Sequence, residues 1–182
     1  MTTTDHTKTG LNEHLSYLKL VYMSENYESL AKKAIQKQWT HVNYLTELTT
    51  AEANQKKDRA TTRRIRAARF PQIKTLEQFK WSWPQKINQL QVKNLFRLSF
   101  IEQKSNVIFL GGVGLGKTHL ATALGYHACL QGHTVLFCSA VDAINNLAAA
   151  QSAGHLKQEL KKYHKPELVI LDELGYLPID KT

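Results

Sequence analysis

The chain has 182 residues, 42% of them hydrophobic, with a formal net charge of +9 and a pI near 9.5. That length accommodates one ordinary domain or a domain with a smaller appendage, and the apolar fraction is enough for a core. No apolar run approaches a membrane span and the first residues, Met-Thr-Thr-Thr-Asp-His, hold no signal-peptide core, so a cytoplasmic protein with an acidic partner is expected, and no membrane.

Leu11, Leu15, Leu18 and Val21 or Tyr22 recur at helical spacing and predict a first amphipathic helix over residues 11–23. Ser24 is a candidate cap for a second helix through Gln38, with Leu30, Ala34 and Ile35 facing inward. Thr40 opens a long third helix with Val42, Leu45 and Leu48 as its apolar stripe, ended by Phe70-Pro71. Beyond Ala51 that stripe thins and bases take over. From Lys56 to Arg69 one acid, Asp58, stands against seven bases, Lys56, Lys57, Arg59, Arg63, Arg64, Arg66 and Arg69. On a helix Arg59, Arg63 and Arg66 share one face with Arg64 beside them, a row suited to the phosphates of double-stranded DNA. A solvated helix end whose bases complement the dipole is the competing account of the same run.

Thr75-Leu-Glu-Gln78 fits a capping box, and Phe79, Trp81 and Trp83 follow before Pro84. Packing of these aromatics into the next domain is favoured over stacking on bases. Ile87, Leu90, Leu95, Leu98 and Ile101 then suggest one or two helices.

Asn106-Val-Ile-Phe-Leu110 has the composition of a buried parallel strand, and it breaks into Gly-Gly-Val-Gly-Leu-Gly-Lys-Thr. This is the P-loop pattern G-x-x-x-x-G-K-[ST], in which backbone N–H groups and a helix N-terminus cradle a triphosphate. The candidate nucleotide-binding set is Gly111, Gly112, Val113, Gly114, Leu115, Gly116, Lys117, Thr118 and His119. Lys117 is assigned to the β- and γ-phosphates of ATP and Thr118 to Mg²⁺. Thr118 to Leu130 reads as a buried helix with Leu120, Ala121, Leu124 and Ala128 on one face.

A second strand is expected over Thr134–Cys138, then a helix over residues 140–150 with Ile144, Leu147 and Ala148 in register, and a short helix with Leu156 and Leu160 that ends at Lys165-Pro166. Leu168-Val-Ile-Leu171 followed by Asp172-Glu173 has the Walker B pattern, with Asp172 on Mg²⁺ and Glu173 polarising the attacking water. The strand, loop and helix order predicts an α/β protein with a P-loop NTPase parallel sheet behind an all-helical N-terminal part. Cys129 and Cys138 read as small buried apolar residues, and the eight histidines show no metal spacing.

The Gly-Lys-Thr-His-Leu-Ala run at 116–121, Leu-Asp-Glu-Leu-Gly-Tyr-Leu-Pro at 171–178, and Ala-Arg-Phe-Pro-x-x-Lys-Thr-Leu-Glu-x-Phe at 68–79 resemble the IstB-like ATP-binding proteins. These are AAA+ ATPases that accompany insertion-sequence transposases and are relatives of the DnaC and DnaI helicase loaders. The resemblance implies a helical domain and linker over residues 1–83 for DNA binding or self-association, and the N-terminal part of an AAA+ module over 84–182. It also implies homo-oligomers on DNA and delivery of target DNA to a transposase. A helicase loader and a non-hydrolysing DNA-binding fragment are the alternatives. Family members continue with a strand between the P-loop and Walker B strands and with an arginine finger. On that comparison the chain reads as a fragment or shortened copy, with its central ladder unpaired and weak ATPase activity.

Overall fold

The computed structural model describes residues 3–82 and 87–174. The chain divides into two compact units, Met1–Ala60 and Thr61–Thr182.

The first unit holds α1 (Thr3–Tyr17), α2 (Val21–Gln36) and most of α3 (His41–Ala68). The helix starts differ from expectation. The break falls at residues 18–20, where Lys19 adopts a positive φ of 56°, so α2 begins at Val21 and Ser24 lies inside it. Leu20 occupies the N-cap and offers no side-chain acceptor. Glu52 of α3 supplies one instead, its Oε2 accepting from the Met23 backbone N–H at 3.0 Å, which satisfies an N–H that the helix itself leaves open.

Of the expected apolar stripe of α3, only Leu48 is buried. Tyr44, Leu48 and Glu52, four residues apart, form the covered face, while Val42 is 71% and Leu45 54% exposed. Ile35, expected inward, is 79% exposed beside the buried Ala34. Thr40 does open α3, its Oγ1 accepting from the Asn43 N–H at 3.1 Å. The helix stops at Ala68, and Arg69 follows at φ 62° before Phe70.

The second unit takes residues 61–68 of α3, then α4 (Gln89–Leu95), α5 (Ser99–Glu102), α6 (Lys117–Leu130), β1 (Val135–Ser139), α7 (Ala140–Ser152), α8 (Leu156–His164) and β2 (Leu168–Asp172). Its core gathers Ala68, Leu98, Phe100, Leu124, Ala128, Cys129 and Val135. Burial pushes the Cys129 thiol up to about 11, so it packs as a small apolar residue. Arg64 closes this core from α3 by donating from Nε to the Cys129 carbonyl at 3.1 Å, a cation on the last turn of α6.

β1 and β2 pair parallel, with Val135 opposite Leu168 and Ser139 opposite Asp172. Glu167 fixes the register at the start: its carboxylate accepts from the Thr134 N–H at 2.8 Å and the Thr134 hydroxyl at 3.1 Å, and faces His133 Nδ1 at 3.1 Å. At the other end Ser139 caps α7, accepting from the Asp142 N–H at 3.0 Å. On α7 Ile144 and Ala148, expected in the apolar register, lie exposed, and Ala140, Ala143 and Ala150 form its buried side.

The expected strand at 106–110 is corrected. Val107 and Phe109 turn into the core and Ile108 and Leu110 turn out, which is strand alternation, but the segment pairs with no strand among the described residues. The parallel sheet described is therefore two strands, not the fuller P-loop sheet expected. Residues 75–78 form a turn in place of a helix start, although the Thr75 N–H does donate to Gln78 Oε1 at 3.1 Å. Phe79 and Trp81 pack as expected, edge to face at 5.0 Å with Phe79 buried against Val92 and Leu120; Trp83 and Pro84 lie outside the described residues.

Candidate functional site

The loop at 111–116 owes its shape to two glycines in the left-handed region, Gly114 at φ 76° and Gly116 at φ 83°. Gly116 is the N-cap of α6, so the helix begins at Lys117 with its open N–H groups at the loop. Gly116 also faces Phe79, from the segment at residues 72–80. A Cβ there would stand 2.6 Å from Phe79 Cε2. Phe79 in turn meets the His119 ring edge to face at 5.4 Å, and His119 Nε2 lies 2.9 Å from the Thr75 carbonyl. Residues 75–79 are thus pinned to the first turn of α6, and a cavity of about 420 Å³ lies between residues 72–80 and Gly114–Gly116.

Lys117 reaches back over the loop, its Nζ donating to the Gly112 carbonyl at 2.7 Å. Thr118 Oγ1 lies 3.0 Å from both carboxylate oxygens of Asp172, at the end of β2, across 54 residues of sequence. α6 carries the first pair of residues and β2 the acid, and they meet because α6 packs on both strands. Gly125 makes that packing close: a Cβ on it would fall 2.5 Å from Ile170 Cδ1 and 2.9 Å from Phe70 Cε1. Glu173 follows at φ 59°, so the chain leaves the strand line at that residue, and its side chain is exposed.

Of the predicted phosphate-site residues, the structure brings Gly111, Gly112, Val113, Lys117, Asp172 and Glu173 to the border of one cavity of about 810 Å³. Leu115, Gly116 and His119 border the smaller cavity, on the side of residues 72–80. Phe79 and Thr75 are the site-shaping residues that sequence reasoning placed elsewhere. The signal was present in the aromatic run, but which surface it would cover depends on how residues 70–80 fold back.

The seven bases separate into two sets. Lys56, Lys57, Arg59, Arg63, Arg66 and Arg69 are exposed, whereas Arg64 is half-buried, holding the Cys129 carbonyl and the Thr61 hydroxyl at 3.0 Å. No helix among the described residues is long and apolar enough to cross a membrane.

A glycine loop opening a helix, beside a small parallel sheet within a mostly helical chain, defines a mixed α/β protein. Residues 13–182 match the family of IstB-like ATP binding proteins, and the chain belongs to that family, which implies a P-loop NTPase fold. Three similar proteins are named for insertion sequences and for ATP binding. The IS5376 protein of Geobacillus stearothermophilus is 33% identical over 95% of this chain and 69% of its own length. The IS21 protein of Pseudomonas aeruginosa is 38% identical over 92% and 63%, and the IS232 protein of Bacillus thuringiensis 34% over 93% and 68%. The chain therefore spans about two thirds of the length of these relatives.

Proposed function

We propose that this chain is an ATP- and Mg²⁺-dependent AAA+ accessory protein that works in the cytoplasm beside the transposase of an insertion sequence and binds double-stranded DNA for it. The observation that carries the nucleotide half is the meeting of Thr118 and Asp172 at the mouth of the loop. Their separation of 3.0 Å suits two neighbouring ligands of an octahedral Mg²⁺, which at metal–oxygen distances of about 2.05 Å stand about 2.9 Å apart. Thr118 and Asp172 would hold the ion, and Mg²⁺ when bound neutralises charge on the phosphates.

The chain's own residues do the rest. The N–H groups of residues 111–116 and the start of α6 bind phosphate oxygens, and Lys117 exchanges the Gly112 carbonyl for the β- and γ-phosphates. Glu173, next to the metal-side acid and exposed, orients a water for attack on the γ-phosphate.

Lys117→Ala is expected to abolish ATP binding measured by titration calorimetry, while Glu173→Gln keeps binding and loses turnover. Equal ATP affinity in the wild type and Lys117→Ala would remove the phosphate assignment.

The DNA half rests on the exposed bases of α3 and Arg69. No base-reading motif accompanies them, so binding should be largely independent of sequence. Replacing Arg59, Arg63 and Arg66 by Ala should weaken binding alike on unrelated duplexes and flatten the slope of log affinity against log salt by about two to three units. An unchanged slope would place the DNA surface elsewhere.

A further inference from the structure

By position His119 belongs to the phosphate-binding set, but its side chain lies on the other side of the loop. It borders the cavity of about 420 Å³ with Phe79 and Gly116, not the larger one bordered by Lys117, Asp172 and Glu173. The Thr75 carbonyl can only accept, so the 2.9 Å contact puts the proton on His119 Nε2 and commits that nitrogen to Thr75. The ring itself meets Phe79 edge to face.

The two left-handed glycines of the loop are held differently. A Cβ on Gly114 would meet nothing within 4 Å, whereas Phe79 lies against Gly116. Phe79 is a firm support. It is buried with Val92 and Leu120, and its N–H donates to the Leu76 carbonyl at 3.1 Å, closing a turn that the Thr75 N–H braces by its bond to Gln78. Gly116 caps α6 and His119 lies in its first turn, so the turn at residues 75–79 grips the loop and the helix at their junction.

We propose that His119 is a positioning residue for phosphate binding. With Thr75 and Phe79 it clamps the junction of loop and helix, so that the loop N–H groups stand ready before a polyphosphate arrives. This rests on the nucleotide reading and deepens it. Glycine loses more freedom on ordering than any other residue, and a clamp that restricts the loop beforehand removes that cost from binding. Because the clamp acts on the loop, it serves the phosphate chain and is indifferent to the base.

The test is titration calorimetry of the full chain with Mg²⁺ and either ATP or inorganic tripolyphosphate. His119→Ala should weaken both alike by about tenfold, which is about 1.4 kcal/mol. His119→Gln keeps an N–H donor for Thr75 and should return to within about threefold of the wild type, while His119→Phe, with a ring but no donor, should fall between the two. Without ligand, amide exchange in His119→Ala should quicken at Phe79 and stay the same from Leu120 to Cys129, which separates release of the clamp from loss of the helix. The clamp is overturned if His119→Ala and His119→Phe bind both ligands as the wild type does, or if His119→Gln binds no better than His119→Ala. It is also overturned if only ATP binding weakens, because His119 would then serve the base. A wild-type chain that binds neither ligand overturns the nucleotide reading as well.

Discussion

The two flanks of the glycine loop differ in what completes them. α6, after the loop, is buried along Leu120, Ala123, Leu124, Gly125 and Ala128, and its backbone hydrogen bonds are internal. Residues 106–110, before the loop, have equally apolar side chains, but their backbone groups depend on neighbouring strands. A helix brings its own hydrogen-bond partners and needs only a face to pack, whereas a strand is finished by something distant in sequence. Lys117, Thr118 and His119 therefore stand on α6 and Asp172 on β2, while residues 106–110 are held by Val107 and Phe109.

The largest effect expected from this contrast comes from truncating one leucine on the helical flank. Leu124, 4% exposed, sits in the core, so Leu124→Ala should cost about 2–5 kcal/mol in denaturant unfolding, while Ile108→Ala on the other flank should cost less than about 0.5 kcal/mol. Comparable losses would mean that Ile108 is covered in solution. Next in size is the contact between α6 and β2. Gly125→Val must push Ile170 and Phe70 apart, which should cost about 1–3 kcal/mol and disturb the Thr118–Asp172 pair, visible as a lower melting temperature and weaker ATP binding. A variant as stable as the wild type would show that β2 can shift away without loss.

The smallest effect is at the start of the sheet. Hydrogen bonds from the Thr134 backbone and from His133 hold the Glu167 carboxyl below its usual range. A lowered folded-state value means that this carboxylate's contribution is fully present above the unfolded value of 4.5 and is lost as pH falls through the folded one. Because the Glu167 side chain is half exposed, the contribution is screened and should stay below about 1 kcal/mol. Melting temperature followed from pH 6 down to about pH 3 should drop less steeply in Glu167→Gln than in the wild type. Parallel curves would remove the assigned role.

Most element positions in the second unit were legible because their signals are local. The run from Gly111 to Thr118, the apolar face of α6, and Leu168–Asp172 ending in an acid are read from a few consecutive residues, and β1, α7, α8 and β2 fall within a few residues of expectation. The first unit was legible as three helices and only partly in its buried faces: Leu15, Ala34 and Leu48 are buried as expected, whereas Ile35, Val42 and Leu45 are exposed. Glu52 is buried where it accepts from the Met23 N–H in the first turn of α2, whose N-cap Leu20 has no capping side chain, a contact that arises only once α2 and α3 lie together. The apolar residues at 42 and 45 gave no warning of it.

By itself the sequence determined the loop, the helix after it and the acidic strand end, because glycine conformation, helical periodicity and short apolar runs act within a few residues of chain. It also determined the family, through matched residues that extend from 13 to 182. The tertiary structure decided three things that depend on long-range packing: that Phe79 presses on Gly116, that Arg64 serves the end of α6, and that residues 106–110 alternate like a strand but pair with none among the described residues. Each is settled by which surface is left for a residue to cover, and strand pairing above all, since half of every ladder bond belongs to another part of the chain.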